Sequence, residues 1–337
     1  MESSVLKLIL ILSAISVCYC SSSMQPSTAR LEGNEMDRVG LLAIKANIQH
    51  DPNQVTSTWN DSIHFCYWHG VTCSPRHQQR VTKLDLSSQS LAGSISPHVG
   101  NLSFLSVLRL YNNSFSREIP LEMGNLRRLQ ERSLLPWGTL RLSRHLLFLN
   151  YNNLVGSIPT SLDALNKLTF FSVALNNLSG TIPPSIFNMS TLLTFFSIGQ
   201  NQIQGSLPTN LGKSFPRLQF FRITLILFTG YIPHSISNAK DLWTFQVQGN
   251  RLTGQVPDLQ KLHNLGRFNI EANQLGMSKY GDLSFLSGLS NATMLESLIL
   301  SDNNFGGTLP TSISNLTTKL KELQIEGNQL RTWKHPS

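Results

Sequence analysis

The chain is poor in charge and has no cluster of basic residues, which argues against several classes of partner. Only 14% of its 337 residues are charged, so its surface must be made polar mainly by Asn, Ser, Gln and Thr. The net charge is +8, but the Lys and Arg residues are scattered and form no stripe with interleaved aromatic residues. Nucleic-acid binding requires such a stripe, so we expect no nucleic-acid partner.

Sequence patterns that support catalysis are also missing. There is no Gly-rich phosphate loop, no His-Arg-Asp-type or Asp-Phe-Gly run, and no Ser/His/Asp or paired-carboxylate arrangement. An enzyme needs residues of this kind converging in one pocket. We therefore predict a chain that is not an enzyme and that needs no cofactor and no metal.

Long apolar runs are absent apart from one short run at the N-terminus. Residues 1–20 have the features of a secretory signal peptide: Lys7 comes first, residues 8–17 are apolar, and Cys18 and Cys20 are small residues before a cleavage site. This run is shorter than the ~20 residues that cross a bilayer. We expect secretion to the apoplast, association with the plasma membrane only through a partner, and a linker over residues 21–36.

Cysteine is scarce, and cleavage of the signal peptide leaves only Cys66 and Cys73. In an oxidising compartment such a pair is most simply a disulfide. Zinc is the alternative, because His64 and His69 lie beside the two cysteines, but the spacing matches no compact zinc finger. We favour the disulfide.

Secretion gives meaning to the Asn-x-Ser/Thr triplets, which are acceptors for N-linked glycans. Seven of them occur, and together they predict a glycosylated extracellular protein; the acceptors are Asn60, Asn101, Asn112, Asn177, Asn188, Asn291 and Asn315.

A repeated pattern dominates the rest of the chain. Residues 147–159 read Leu-Phe-Leu-Asn-Tyr-Asn-Asn-Leu-Val-Gly-Ser-Ile-Pro, and the same frame returns at 171–183, 196–208, 245–257 and 298–310. Less complete copies surround Asn113, Asn273 and Asn328, while Gln89 and Ile226 occupy the Asn position of two more. Ten repeats, mostly 23 to 25 residues apart, indicate a solenoid.

Each position of the repeat has a mechanical reason. The apolar-x-apolar pair is a short strand with one buried face, and it is stable only when stacked on its neighbour. The Asn turns inward, where its amide satisfies backbone groups that leave the strand. The Gly permits backbone angles that other residues avoid, and the following Pro needs no amide partner.

The pattern Leu-x-Gly-x-Ile-Pro resembles the plant-type leucine-rich repeat, and the upstream segment resembles the N-terminal cap of that family. The cap signatures are Trp59-Asn60 and Cys66-x-Trp-x-Gly-Val-x-Cys73. Within the cap, Asp37 is expected to begin a helix with Leu41, Ile44 and Ile48 along one side, ended by Asp51-Pro52. The cap would occupy residues 37–79, the repeats 80–330 and an uncapped tail 331–337.

The resemblance implies a fold and a class of protein. The fold is a right-handed, curved leucine-rich-repeat solenoid, with a parallel β-sheet on the concave face and short 3-10 or irregular segments on the convex side. The long repeat at residues 275–286 is similar to that of plant receptor-like kinases that detect microbial proteins. A receptor-like ectodomain is therefore expected, without a kinase of its own.

Three departures from the pattern stand out. Asn113 and Asn152 are 39 residues apart, nine short of two periods, and residues 129–146 keep no clear frame. Ile226 replaces a buried Asn, which could leave backbone groups unsatisfied. The sequence stops at Ser337 with no cap cysteines, membrane span or kinase after the last repeat.

Side chains that alternate with the buried pair point to the concave face and vary from repeat to repeat, as a recognition surface requires. Phe170, Phe195 and Phe220 recur at one position and would form an apolar ladder about 10 Å long, since strands are ~4.8 Å apart. The ladder is either a hot spot for a ligand or a stiffening stack. The candidate ligand-binding residues are Arg109, Tyr111, Phe148, Phe170, Phe195, Phe220, Arg222, Gln246, Arg267 and Asn269.

The sequence therefore predicts an extracellular module that binds a peptide or protein, with a membrane co-receptor kinase as a second partner. One alternative is an inhibitor of a secreted cell-wall-degrading enzyme, resembling the polygalacturonase inhibitors. The other is a truncated receptor copy without function.

Overall fold

The computed structural model describes residues 33–77, 79–126 and 145–331. Four predictions fall wholly or partly outside these residues: the signal peptide 1–20, the linker as far as residue 32, residues 129–144 of the irregular segment, and residues 332–337 of the tail.

One short strand from every repeat enters a single sheet, which we call the main sheet. Its strands follow chain order; the first two are antiparallel and all later pairs are parallel. Ten of them come one from each predicted repeat, which confirms the repeat number and the parallel sheet. The strands are β2 (Val71–Ser74), β3 (Arg80–Asp85), β5 (Val107–Arg109), β7 (Leu146–Phe148), β9 (Phe170–Ser172), β11 (Phe195–Ser197), β13 (Phe220–Arg222), β15 (Thr244–Gln246), β17 (Arg267–Asn269), β19 (Ser297–Ile299) and β21 (Glu322–Gln324).

A second series of short strands forms three smaller sheets; its first strand follows the N-terminal helix, and each of the others follows the turn after a main-sheet strand of a repeat. It contains β1 (Ile48–His50), β4 (Ala92–Ser94), β6 (Ser114–Arg117), β8 (Asn153–Leu154), β10 (Ser179–Thr181), β12 (Gln202–Ser206), β14 (Leu227–Gly230), β16 (Arg251–Gly254), β18 (Gln274–Leu275), β20 (Gly306–Gly307) and β22 (Gln329–Leu330).

Short helices complete most coils on the side opposite the main sheet, as predicted. Several start directly after the Pro of the repeat, whose extended backbone turns the chain into a 3-10 helix, as at Pro159 and Pro233. The 3-10 helices are Phe65–Tyr67, Pro75–His77, Pro97–Asn101, Leu121–Asn125, Thr160–Ala164, Pro184–Asn188, His234–Asn238 and Thr311–Asn315. The α-helices are α1 (Gly33–Ala46), α2 (Leu211–Ser214) and α3 (Leu286–Leu289). Among the described residues, no helix has the length and apolar character needed to cross a bilayer.

The core is one continuous column of apolar side chains between the main sheet and the helices. At its centre the rings of Phe171, Phe196, Phe221, Phe245 and Phe268 lie one above another, with successive centroids 5.5–5.7 Å apart. Each ring is at most 1% exposed. Because every ring contacts rings of the neighbouring coils, no coil can bury its core alone.

The buried asparagines form a second continuous column, which we call the Asn ladder. Asn176 is typical: its amide nitrogen donates to the carbonyls of Leu149 and Val173, both at 3.0 Å, and its oxygen accepts the N–H of Leu154 at 2.9 Å. One side chain thus satisfies backbone groups of two successive coils. The ladder consists of Asn113, Asn152, Asn176, Asn201, Asn250, Asn273, Asn303 and Asn328. It is interrupted at Ile226, which is 3% exposed and has no amide.

Replacing one member of the Asn ladder should lower the free energy of unfolding. Asn152→Leu leaves two carbonyls and one N–H without their side-chain partner, so we expect a loss of roughly 1–3 kcal/mol in the free energy of unfolding. Urea denaturation of the full chain measures it. The control is Asn153→Leu at the adjacent exposed position, and equal losses for the two variants would contradict this role of the ladder.

The irregular spacing between Asn113 and Asn152 has a simpler basis than two damaged repeats. Strands β5 and β7 are direct neighbours, with Val107 opposite Leu146 and Arg109 opposite Phe148. Asn152 also donates to the carbonyl of Leu110 at 2.9 Å, so the ladder continues across the gap. This stretch is one repeat with extra residues between its helix and the next strand. The expectation that residue 146 lies outside the repeat frame was wrong.

The helix of the N-terminal cap begins earlier and ends sooner than predicted. Helix α1 runs from Gly33 to Ala46, so it starts four residues before Asp37 and stops before Ile48. Ile48 instead lies in β1, where it pairs with Gly93 of the first repeat. The backbone leaves the helix at this point because Asn47 accepts the N–H of Ser94 at 3.1 Å.

Asp37 is a buried anchor within the helix rather than its first residue. Its carboxylate is 0% exposed and receives two hydrogen bonds from the Arg80 guanidinium and one from the N–H of Val81, all at 2.8 Å.

Cys66 and Cys73 form the predicted disulfide, with Cα atoms 5.5 Å apart, which rules out zinc ligation by the two thiolates. The stacked indoles of Trp59 and Trp68, 5.6 Å apart, fill the cap interior.

Breaking this anchor should detach the cap from the first coil. Asp37→Asn leaves the Arg80 guanidinium buried without a counter-charge, which costs about 3–5 kcal/mol. We expect an earlier unfolding transition in urea and faster proteolysis of the cap. Glu35→Gln, which removes a part-exposed partner of Arg38, is the control and should change little.

Candidate functional site

The predicted ligand-binding residues share one surface, the face of the main sheet turned away from the core, which we call the open face. Register pairing places Arg109, Phe148, Ser172, Ser197, Arg222, Gln246 and Asn269 in one row across the strands. The parallel row one pleat earlier contains Phe170, Phe195, Phe220, Thr244 and Arg267. Because the strands pair in register, side chains at equivalent positions of successive repeats lie next to one another on the open face.

An aromatic ladder crosses the middle of the open face. The rings of Phe170 and Phe195 stack at 3.8 Å with planes 8° apart, and Phe220 follows at 5.7 Å. Phe148 leans over from the other row and stacks on Phe170 at 4.0 Å, and Tyr111 contacts Phe148 at 6.0 Å. The aromatic ladder thus has five rings instead of the three predicted, and all five are half-buried.

Beside the aromatic ladder the surface is made of small side chains. Ser172, Ser197 and Ala174 are 4%, 6% and 7% exposed, and Gly199 has no side chain. Beyond them, the turns that follow two of these strands carry exposed apolar side chains, Tyr151 and Leu225, which are 52% and 55% exposed, and the exposed Gln200 occupies the equivalent position between them. We call this strip the channel: small residues form its floor, and the aromatic ladder and the strand-end residues form its two sides.

Two arginines flank the aromatic ladder, and their environments differ. Arg109 lies 5.5 Å from the Phe148 ring centre and is paired with Asp85 at 3.2 Å. Arg222 lies 5.7 Å from the Phe195 ring centre, and within the described ranges no carboxylate forms an ion pair with it. Burial, together with repulsion by Arg267, lowers the pKa of Arg222. Arg222 is therefore a desolvated cation whose charge is not neutralised locally.

Several polar atoms of the open face are buried but have no hydrogen-bond partner in the described part of the chain. They are Nε of Arg109 and Arg222, which are donors, and the amide oxygens of Asn150 and Gln248, which are acceptors. An unpartnered buried polar atom is unfavourable, and a bound ligand can supply what it lacks. These four atoms lie at the two ends of the aromatic ladder.

The structure changes the list of candidate residues in two ways. Asn269 lies in the same row but is only 8% exposed, and its oxygen accepts the N–H of Glu271 at 3.0 Å, so it offers a ligand little surface. Gln246 is half-buried and Arg267 exposed, both beyond the aromatic ladder. Asn150 and Gln248 stand two residues before a ladder Asn, the position that Tyr111 also occupies, and their unpartnered amide oxygens add them to the candidates.

The remaining predicted sites lie away from the channel floor. Six of the seven glycan acceptors are exposed and Asn101 is half-buried. Among the described residues, no three His, Cys, Asp or Glu side chains are grouped as metal ligands.

Asp85 gives the N-terminal end of the open face a dependence on pH. Burial favours its neutral form, but hydrogen bonds from Ser87 and Lys83 outweigh that effect and hold the pKa of Asp85 below its ordinary value. Lys83 and Arg109 both approach the same carboxylate oxygen, at 3.0 and 3.2 Å.

The expected acid dependence follows from the direction of this pKa shift. Ionised Asp85 stabilises the fold above the ordinary carboxyl pKa of about 3.9, and this contribution is lost as the pH falls through the lowered folded-state value. Asp85→Asn should remove that part of the stability loss on acidification, measured as urea midpoints at neutral and acidic pH. Asp163→Asn, at an exposed carboxylate, is the control; unchanged acid dependence in Asp85→Asn would refute the assignment.

Comparison with known families agrees with the fold. Residues 34–74 match the leucine rich repeat N-terminal domain, and residues 104–126 and 294–316 match the leucine rich repeat. The cap match coincides with helix α1 and the disulfide.

Individual relatives are plant receptor kinases. The chain is 46% identical over 98 residues to the leucine-rich-repeat receptor-like kinase EFR of Arabidopsis thaliana, an alignment covering 29% of this chain and 9% of EFR. It superposes on the GASSHO1/SCHENGEN3 ectodomain of Arabidopsis thaliana, solved with CASPARIAN STRIP INTEGRITY FACTOR 2, with a TM-score of 0.76, 29% identity, and coverage of 87% of this chain and 33% of that one. The Arabidopsis kinase HAESA, solved with the peptide hormone IDA and the co-receptor SERK1, gives a TM-score of 0.65, 27% identity, and coverage of 88% and 54%.

Proposed function

We propose that this chain, a leucine-rich-repeat protein of the kind that forms the ectodomains of plant receptor-like kinases, binds an extended peptide or protein segment in the channel of its open face. The observation that carries the proposal is the aromatic ladder between unpartnered polar atoms. Half-buried rings offer apolar contact area, and the free donors and acceptors offer fixed hydrogen-bonding positions. Aromatic and arginine side chains in this arrangement are typical of binding hot spots.

The dimensions of the channel favour an extended ligand. The five coils that carry Tyr111, Phe148, Phe170, Phe195 and Phe220 are consecutive, so the aromatic ladder spans four strand spacings of ~4.8 Å. An extended peptide advances ~3.4 Å per residue, and about six residues would cover this length. The small floor residues let its backbone lie close to the sheet while alternate side chains contact the rings.

The charge distribution favours a ligand with an anionic group at one end of the aromatic ladder. Arg109 is already neutralised by Asp85, whereas Arg222 and Arg267 repel each other. A carboxylate placed between Arg222 and Arg267 would offset their mutual repulsion and accept a hydrogen bond from the free Nε of Arg222.

The relatives support an extracellular role as a receptor module. The two solved ectodomains cited above were crystallised with a peptide hormone or an integrity factor, and HAESA also with a co-receptor. By analogy we propose a peptide or protein ligand and a membrane co-receptor kinase as partners of this chain.

Panning a library of random linear peptides against the immobilised chain tests the proposal. We expect binders rich in apolar residues with an acidic group, and loss of binding in the double variant Phe195→Ser/Phe220→Ser. Hot-spot residues are worth about 2 kcal/mol or more, so affinity by calorimetry should fall at least ~30-fold. Circular dichroism must show that the variant remains folded.

The matched control is Tyr231→Ser, which removes an aromatic side chain that is 69% exposed and lies outside the channel. It should leave binding unchanged. If peptides bind the folded double variant as tightly as the folded unmodified chain, the ligand site lies elsewhere. Unfolding of the double variant would show that the aromatic ladder serves stability.

The anionic end has its own prediction. Arg222→Gln should weaken acidic binders about ten- to hundredfold, because a charge-assisted hydrogen bond contributes about 1.5–3 kcal/mol. It should also reduce the salt dependence of their affinity. Lys213→Gln, in the short helix of a neighbouring coil away from the main sheet, controls for loss of net charge.

A further inference from the structure

A mismatch between two successive coils leaves a cavity on the helical side of the solenoid. Asn250 and Asn273 are only 23 residues apart, and residues 255–262 of this short repeat contain a turn but no helix. The next repeat is the longest of those with an uninterrupted frame, with 30 residues from Asn273 to Asn303, and it carries α3. A short coil without its helix cannot fill the space that the longer coil encloses.

The cavity has a volume of about 300 Å³ and a mostly polar lining. Since a water molecule occupies ~30 Å³ of liquid, the space is of the size that one sugar ring requires. Asp258, Gln260, Ser284 and Ser287 provide hydroxyl, amide and carboxylate groups, whereas the Phe285 ring behind them is only 3% exposed. A wall of exposed polar groups matches the chemistry of a sugar, which has hydroxyls at its edge.

One more residue that lines the cavity, Asn291, is also a predicted site of N-linked glycosylation. Asn291 is the acceptor of one Asn-x-Ser/Thr triplet, it lines the cavity, and it is exposed. Its amide nitrogen donates to the carbonyl of Gln260 at 3.4 Å, so the atom that would carry the glycan lies against the cavity wall. Glycosylation replaces only one of the two amide hydrogens, and the other can still donate.

We propose that the cavity is a seat for the first N-acetylglucosamine of an N-linked glycan on Asn291. The sugar fills the space left by the missing helix and joins two coils whose own side chains leave a gap. This glycan is then part of the folded structure. Asn188 and Asn315 are exposed residues at the ends of ordinary 3-10 helices and do not line this cavity, so a sugar on either would project into solvent.

Glycosidase kinetics on the native protein distinguish a seated sugar from a free one. The full chain is secreted from a mammalian cell line, whose N-glycans lack the core fucose linkage that blocks peptide-N-glycosidase F. Glycopeptide mass spectrometry then measures occupancy and the rate of release at each site. We expect occupied Asn291, released about tenfold or more slowly than Asn315, because the enzyme must wait for local opening.

Two variants complete the test. Ser287→Arg places a long side chain in the cavity from an exposed position, and it should bring the release rate at Asn291 up to that at Asn315. After denaturation both sites should be released at equal rates. An unglycosylated Asn291, equal native rates in the unmodified sequence, or protection that survives Ser287→Arg would each overturn the proposal.

Discussion

The fold depends on one constraint: the backbone that leaves each short strand must find hydrogen-bond partners inside the solenoid. The Asn ladder meets this need by bonding to two successive coils at once. Asn176, for example, donates to carbonyls of its own coil and of the preceding one. A coil is therefore completed by its neighbour, and the chain can be stable only as a stack.

The same constraint creates the open face. Because the Asn ladder fixes the register of every coil, side chains at equivalent positions of neighbouring coils lie one strand spacing apart. Aromatic residues at the same repeat position in successive coils must then contact one another. The residues at the adjacent outward positions differ between coils and determine what this part of the open face can bind. The aromatic ladder, the small floor and the unpaired Arg222 are consequences of register combined with local sequence. Where the Asn ladder lacks an amide, at Ile226, the main-sheet strands remain paired, because the neighbouring coils still hold the register.

Periodicity also explains where the molecule is imperfect. Although extra residues precede Leu146, strands β5 and β7 still pair directly and Asn152 still donates to the carbonyl of Leu110, so neither the sheet nor the Asn ladder is interrupted at this point. The short repeat after Asn250 changes the helical side instead, and its missing helix leaves a cavity next to the long repeat. Length changes are thus tolerated where the coil is least constrained.

The sequence by itself determined the features that depend on local periods. Alternation within each strand identified the buried columns and the outward positions, and the 24-residue spacing identified the solenoid and the Asn ladder. The cap followed from its resemblance to the family's signatures, and its disulfide from two cysteines expected in an oxidising compartment. Only the tertiary structure decided how neighbouring side chains share the space between strands. Phe148 leans across small residues to extend the aromatic ladder, Asn269 turns to its own backbone and is buried, and helix α1 stops early because Asn47 bonds to the first coil. These outcomes depend on the size of residues one or more coils away, which no local pattern records.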